Sequence, residues 1–301
     1  QAGLYFAMQE HTNDGHCACS RQDLIIKAEK LLSISSEILH SALDEAIRKQ
    51  NIIALPFNDG LNAVALDKIY NAEQQVALHV NRLLKGKSPK FSNMDLAEIN
   101  SWIDKNSEIE LSSGQKDAIT QALTKKVLCI TGGPGVGKTT VVRQILNLIT
   151  KRGAMVQLCA PTGRAAKRLA ESTGLEAKTV HRLLEFDPTN GGFKRDQDFP
   201  LLCDCLILDE ASMLDISLIN SLLRALEDNC VVIFVGDIDQ LPSVGPGAVL
   251  ANLIDSNILS VVILDQIFRQ AQSSQIIINA HRVNEGLMPN ILDKGVKSDF
   301  Y

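Results

Sequence analysis

The run Cys129–Val142, CITGGPGVGKTTVV, sets four glycines and a proline between a short apolar stretch and an amphipathic one. Both residue types break regular structure, so the bare backbone there has a use. Gly132 to Thr139 match G-x-x-x-x-G-K-[ST], the spacing in which successive N–H groups curl around phosphate oxygens at the start of a helix. Gly133, Pro134, Gly135, Val136 and Gly137 form that cradle, with Thr140 in the helical turn behind it. Lys138 is placed to reach β and γ phosphates, and the Thr139 hydroxyl to hold Mg2+.

Phosphate chemistry also needs a carboxylate near the metal. LILDEAS supplies Asp209 and Glu210 where an apolar run ends, Asp209 to anchor the metal shell and Glu210 to orient and activate the attacking water. The next apolar run ends in VGDIDQLPSVGPG, which brings Asp237 and Gln240 to the same sheet edge. There an amide senses a γ phosphate or simply caps the loop, and the residues alone leave both readings open.

Elements that deliver such residues to one edge are strands of a parallel sheet. Five runs, KVLCIT, MVQLCA, CLILDE, CVVIFVGD and SVVILD, are nearly continuous in apolar residues, as strands covered on both faces require. The segments between them are long enough for helical crossovers. The expected fold is therefore α/β, a parallel P-loop sheet with helices on both faces and its catalytic loops at the carboxyl ends. Residues 184–200 interrupt the rhythm with turn chemistry at Asp187-Pro188 and Asn190-Gly191-Gly192 between Phe186 and Phe193, which predicts a protruding hairpin.

Residues 1–90 differ in texture. Ser20 is an N-cap for a helix with Leu24, Ile25, Ala28, Leu31 and Leu32 on one stripe, a second helix follows, and two strands are joined around Asn58-Asp59-Gly60. Helices followed by a hairpin predict a winged-helix-like region that touches DNA through Arg48 and Lys49 or serves as a packing wedge. A helix closes at Gly86, Lys85–Asn93 reads as a linker, and residues 91–110 hold that linker and a helix ahead of the lobe at 111–285.

The 301 residues are 45% hydrophobic and 22% charged, the composition of a globular protein with a sizeable core. No apolar run approaches the ~18 residues of a membrane span, and no leader pattern opens the chain, so a cytoplasmic location is expected. Gln1 is not a start methionine, which suggests a processed or excised chain. A net charge of −5 argues against a protein that coats nucleic acid indiscriminately. Seven cysteines do not form a disulfide framework; five sit in or beside apolar runs as small hydrophobes, while HCACS with His11 offers metal-capable groups without the second ligand pair of a structural zinc site.

Seven stretches in order, LSSGQKDAI, ITGGPGVGKTT, APTGRAAKRL, TVHRLL, LILDEASMLD, FVGDIDQLPSVGPG and IFRQAQSSQIIINAHRVNEG, together resemble the RecD-like DNA helicases of superfamily 1. GLYFAMQEHTNDGHCACSRQDLI is similar to the segment ahead of the motor in their long-N-terminus bacterial branch. The resemblance implies a RecA-like lobe, with Gln115 reading adenine, Gln240 sensing the γ phosphate and Arg269 contacting it. It also implies ATP and Mg2+ as ligands, movement 5′ to 3′ on single-stranded DNA, action at duplex junctions, and partners in recombination or repair. Thr162 and Arg164 would line the strand channel, and the stretch Pro161–Arg195, which includes Lys167, carries seven basic against four acidic residues. A solvated helix face has the same look. The hairpin falls where the family inserts a strand-separating pin, and His181 reads as a packed or capping histidine.

A complete motor of this type has two lobes. By that pattern residues 286–301 would begin a second lobe that this sequence does not include, so the fragment is expected to bind nucleotide but hydrolyse slowly. Two other readings stay open: a different P-loop ATPase that remodels assemblies, and a nucleic-acid or partner-binding module merely stiffened by nucleotide.

Overall fold

The computed structural model describes residues 1–56, 62–87, 91, 95–106, 110–189, 191–267, 274–291 and 298–300. The chain divides into two compact units. Unit one comprises Gln1–Asn81, Met213–Arg224 and Pro242–Val249, and unit two the remainder.

In unit one the chain runs α1 (Ala2–Asn13), β1 (Ala18–Ser20), α2 (Arg21–Leu32), α3 (Ser36–Arg48), β2 (Ile52–Pro56), β3 (Asn62–Leu66) and into α4 (Asp67–Lys85). The three strands form an antiparallel sheet in the order β1-β3-β2, with Pro56 opposite Asn62 where the hairpin turns. This region is thus mainly helical, with one small antiparallel sheet. The expected turn at 58–60 lies outside the described residues. Ser20 caps α2, its Oγ accepting the Asp23 amide at 3.0 Å, and Leu24, Ile25 and Ala28 are buried as the stripe predicts. The stripe stops there, since Leu31 is 48% exposed and Ser33 ends the helix in the left-handed region. The expected metal-capable residues diverge: His11 and His16 stack on each other, Cys19 bonds to Met8 sulfur, and Cys17 faces Glu73. Among the described residues no three His, Cys, Asp or Glu side chains are placed to hold a metal.

In unit two, α5 (Leu96–Asn106) and α6 (Ser113–Thr124) precede β4 (Val127–Thr131) and α7 (Lys138–Thr150). There follow β5 (Val156–Ala160), α8 (Gly163–Thr173), β6 (Ala177–Thr179), α9 (Val180–Leu183) and the short hairpin β7 (Phe186–Asp187) and β8 (Gly192–Phe193). After β9 (Cys205–Leu208), the helix α10 (Ile216–Arg224) belongs to unit one; β10 (Val231–Gly236), α11 (Val249–Asp255), β11 (Ser260–Ile263) and α12 (Gln275–Asn284) complete the order. Six parallel strands lie in the order β11-β4-β10-β9-β5-β6 with helices on both sides, a RecA-like P-loop fold. Five of them are the apolar runs of the sequence, and β6 is an addition at the edge.

Every residue of β4, β9 and β10 is buried, and their Leu128, Ile130, Ile207, Ile233 and Val235 pack with Ile119, Val141 and Ile145 of the flanking helices. Each such side chain contributes about 1.5–3 kcal/mol by leaving water. The seven cysteines are free, and burial pushes the Cys129 thiol up to about 12, as befits an inert core residue.

Of the segment expected as a linker, residues 85–87 and 91 are described. Lys87 O accepts the Lys126 ammonium, which also donates to Asp228 O and Cys230 O, and Phe91 is buried in the core.

Candidate active site

The site lies in unit two, at the carboxyl ends of β4, β10 and β9. These are neighbours in the sheet, with Thr131 in register with Gly236 and Phe234 with Leu208, so the loops that follow must converge.

After Thr131 the backbone enters the left-handed region at Gly132 (φ 156°), and Gly137, the residue before α7, has φ 84°. A side chain at Gly132 would also place Cβ 2.4 Å from Leu264 O. Glycine is required there on both grounds. The loop carbonyls are taken one after another. Lys138 Nζ donates to Gly132 O and to Gly133 O, the latter at 3.0 Å. His281 Nε2 lies 3.2 Å from Pro134 O, Gln115 Nε2 donates to Val136 O at 3.0 Å, and Val141 N donates to Gly137 O at 3.1 Å. With these oxygens engaged, the N–H groups of Gly133, Gly135, Val136 and Gly137 are left to form the anion-binding concavity, and α7 adds its positive end. Burial lowers the Lys138 ammonium below its ordinary value, opposed by the carboxylates of Asp237, Glu210 and Asp209.

Asp209 and Glu210 follow β9. Burial and the neighbouring Glu210 push the Asp209 carboxyl up to about 6, although the Glu210 amide donates to its Oδ1 at 3.0 Å and Lys138 attracts it. Glu210 sits in the left-handed region at φ 53°, a conformation that costs a non-glycine residue about 1–3 kcal/mol and collects at working sites. Its Oε2 is buried without a hydrogen-bond partner among the described residues, as are Thr131 Oγ1 and Ser212 Oγ. This donor set fits a divalent cation. An orphaned carboxylate oxygen beside a carboxyl whose ionised form burial disfavours is a deficit of positive charge, and hard oxygen donors suit Mg2+.

Asp237, 1% exposed, accepts the Asp239 amide at 3.1 Å and the Gln240 side-chain amide at 3.4 Å. Gln240 is thus held at the edge of the site by the loop's own acid. Gln115 is placed differently from an open base reader. It is 1% exposed, with Oε1 accepting the Ser112 amide at 3.1 Å in a capping box while Nε2 holds Val136 O. Thr139 and Thr140 lie in the first turn of α7, with the Thr139 side chain exposed. Arg269 lies outside the described residues.

Among the expected DNA contacts, Thr162 is the N-cap of α8, its Oγ1 accepting the Ala165 amide at 3.2 Å, so the hydroxyl has a structural task. Arg164 and Lys167 are exposed on that helix, with Lys167 3.8 Å from Glu171. The predicted hairpin is present. Phe186 pairs with Phe193, their ring centroids 5.5 Å apart, and His181 packs on both. Sequence reasoning missed His281; its only signal is a histidine in IIINAHRVNEG, and nothing in that spacing shows that it reaches the P-loop.

A family model described as an AAA domain matches residues 115–246. The ATP-dependent RecD2 DNA helicase of Deinococcus radiodurans is 37% identical over 236 residues, 78% of this chain and 32% of that protein. The chain belongs to the RecD-like helicases of superfamily 1. The RecBCD enzyme subunit RecD of Mycobacterium tuberculosis is 33% identical over 239 residues, 70% of this chain and 39% of that one. A solved Pif1 helicase from Candida albicans aligns with a TM-score of 0.46 at 26% identity, over 60% of this chain and 46% of that chain. The chain spans about a third of the length of the curated relatives it matches. Within this RecD-like chain the family match runs from Gln115 through the P-loop and acid pair to the loop after Gln240, the same residues that the fold gathers.

Proposed function

We propose that this chain is the nucleotide-binding lobe of an ATP-driven DNA helicase that moves 5′ to 3′ on single-stranded DNA and works at duplex junctions in repair or recombination. One observation carries the reading. A glycine loop whose carbonyls are held by side chains lies near a half-buried acid pair, one buried oxygen of which has no hydrogen-bond partner among the described residues.

The loop amides and Lys138 bind the triphosphate, Lys138 exchanging the Gly132 and Gly133 carbonyls for phosphate oxygens. Thr139 and Asp209 would hold Mg2+, which would supply positive charge against the phosphates. Glu210 orients the attacking water and accepts its proton as the new P–O bond forms and ADP departs. Gln240, tethered to Asp237, reports the loss of the γ phosphate to its loop, and Arg269 contacts that phosphate. Gln115 acts on the nucleotide through Val136 and, once its amide leaves Ser112, reads the adenine. Thr162, Arg164 and Lys167 contact the DNA backbone, and the Phe186–Phe193 hairpin meets the junction. The RecD subunit name of the tuberculosis relative supports protein partners in recombination or repair.

The test is ATP turnover by the full-length protein with and without single-stranded DNA, together with strand displacement on 5′-tailed and 3′-tailed duplexes. Turnover stimulated by DNA, lost in Lys138→Ala and Glu210→Gln, and displacement only from the 5′ tail are expected. Nucleotide binding without turnover would instead identify a binding module.

A further inference from the structure

We infer that His281 is a positioning residue for the nucleotide, holding the first half of the P-loop in its phosphate-binding shape from outside the loop. The inference rests on the reading that this loop binds ATP.

Two independent features bring α12 to the loop. His281 Nε2 is 3.2 Å from Pro134 O; a carbonyl only accepts, so Nε2 carries the proton and donates. The ring also meets bare backbone through its Cε1 edge, since a Cβ on Gly133 would stand 2.7 Å from His281 Cε1. Any larger residue at 133 would expel the imidazole. The missing side chain at Gly133 therefore serves the histidine as well as the phosphate.

The helix that presents the ring is anchored. Asn279, two residues earlier and 2% exposed, donates from Nδ2 to Asn290 O at 2.9 Å and accepts the Asn290 amide at 2.6 Å. Arg282 Nε donates to Met288 O at 3.0 Å, and Ser274 caps the start of the helix. Successive residues of α12 thus fix the chain beyond it and grip the P-loop.

The loop needs an external grip because of what Lys138 must do. Its ammonium fastens Gly132 and Gly133 in this structure, and it must release them to meet a phosphate. From that moment the side chains among the described residues that hold loop carbonyls are Gln115 on Val136 and His281 on Pro134, one on each side of Gly135. Removing the histidine lets the Gly133–Pro134 peptide units rotate and misdirects their neighbours' amides when phosphate arrives.

The experiment measures the Kd of a fluorescent ATP analogue, and KM and kcat for ATP, in the full-length protein carrying His281→Ala, His281→Gln or His281→Leu, each checked for thermal unfolding. One hydrogen bond corresponds to roughly a three- to tenfold change. His281→Ala and His281→Leu should weaken binding and raise KM by that factor with kcat nearly unchanged, and His281→Gln, which keeps a donor at similar reach, should recover most of it. Gly133→Ala should weaken binding in the parent and much less in a His281→Ala background, because the ring it collides with is gone. Parent-like affinity in His281→Leu, or additive losses in the Gly133→Ala, His281→Ala double variant, would overturn the inference while leaving the P-loop reading intact. A parent protein that fails to bind the analogue would overturn both.

Discussion

Asp209→Asn should make this protein more stable near neutral pH while removing a ligand the chemistry needs. Burial and Glu210 push the Asp209 carboxyl from 3.8 up to about 6. Two units correspond to about 3 kcal/mol at ~1.4 kcal/mol each, so the ionised side chain opposes folding by about that much. Well below 3.8 both the folded and the unfolded chain carry the proton, and the group's stabilising contribution is complete. It is lost as pH rises through about 6, where the fold is forced to ionise a carboxyl that the unfolded chain ionises freely. Asparagine keeps the oxygen that accepts the Glu210 amide and has no charge to bury. The melting temperature of Asp209→Asn should therefore nearly match the parent at pH 4 and exceed it by roughly 6–12 °C at pH 8, from about 2–4 °C per kcal/mol for a large domain. Scanning fluorimetry from pH 4 to pH 8, without nucleotide and with chelator, reads this directly. A gap that is absent at pH 8, or as large at pH 4, refutes the electrostatic account. Added Mg2+ with an ATP analogue should raise the parent's melting temperature more than the variant's, because the cation restores what the parent lacks.

Lys126→Met should lower stability by about 2–4 kcal/mol in urea unfolding, since it strips the shared donor from Lys87 O, Asp228 O and Cys230 O and leaves the last of these buried. Phe186→Ala should impair strand displacement by the full-length protein several-fold while leaving DNA-stimulated ATP turnover within about twofold, because the hairpin lies outside the P-loop and acid pair. Equal loss of both activities would place Phe186 in the motor rather than at the junction.

The strands that carry chemistry were legible because burial on both faces leaves unbroken apolar runs, and the P-loop because its glycines answer a backbone demand. The edge strand Ala177–Thr179 was invisible for the converse reason. It is three residues long with a lysine at its centre and half-exposed throughout, so it carries no burial signal. The Phe186–Phe193 pairing could be read from turn residues between two aromatics. What Gln115 and His281 do could not, because each acts on a carbonyl in another element and backbone acceptors leave no trace in residue type. Composition reports local preference, so it could not show that Lys87 O meets Lys126 or that Phe91 is buried.

The amide of Gln115 closes a helix end, fastens Val136 and stands next to the nucleotide site, and this narrows what evolution can try there. Glutamate satisfies an ordinary capping box as well as glutamine does, yet it has no proton to give Val136 O. Asparagine keeps the donor but is one methylene short. A position with several simultaneous obligations drifts slowly, and a library randomised at residue 115 should return glutamine almost alone among its working members.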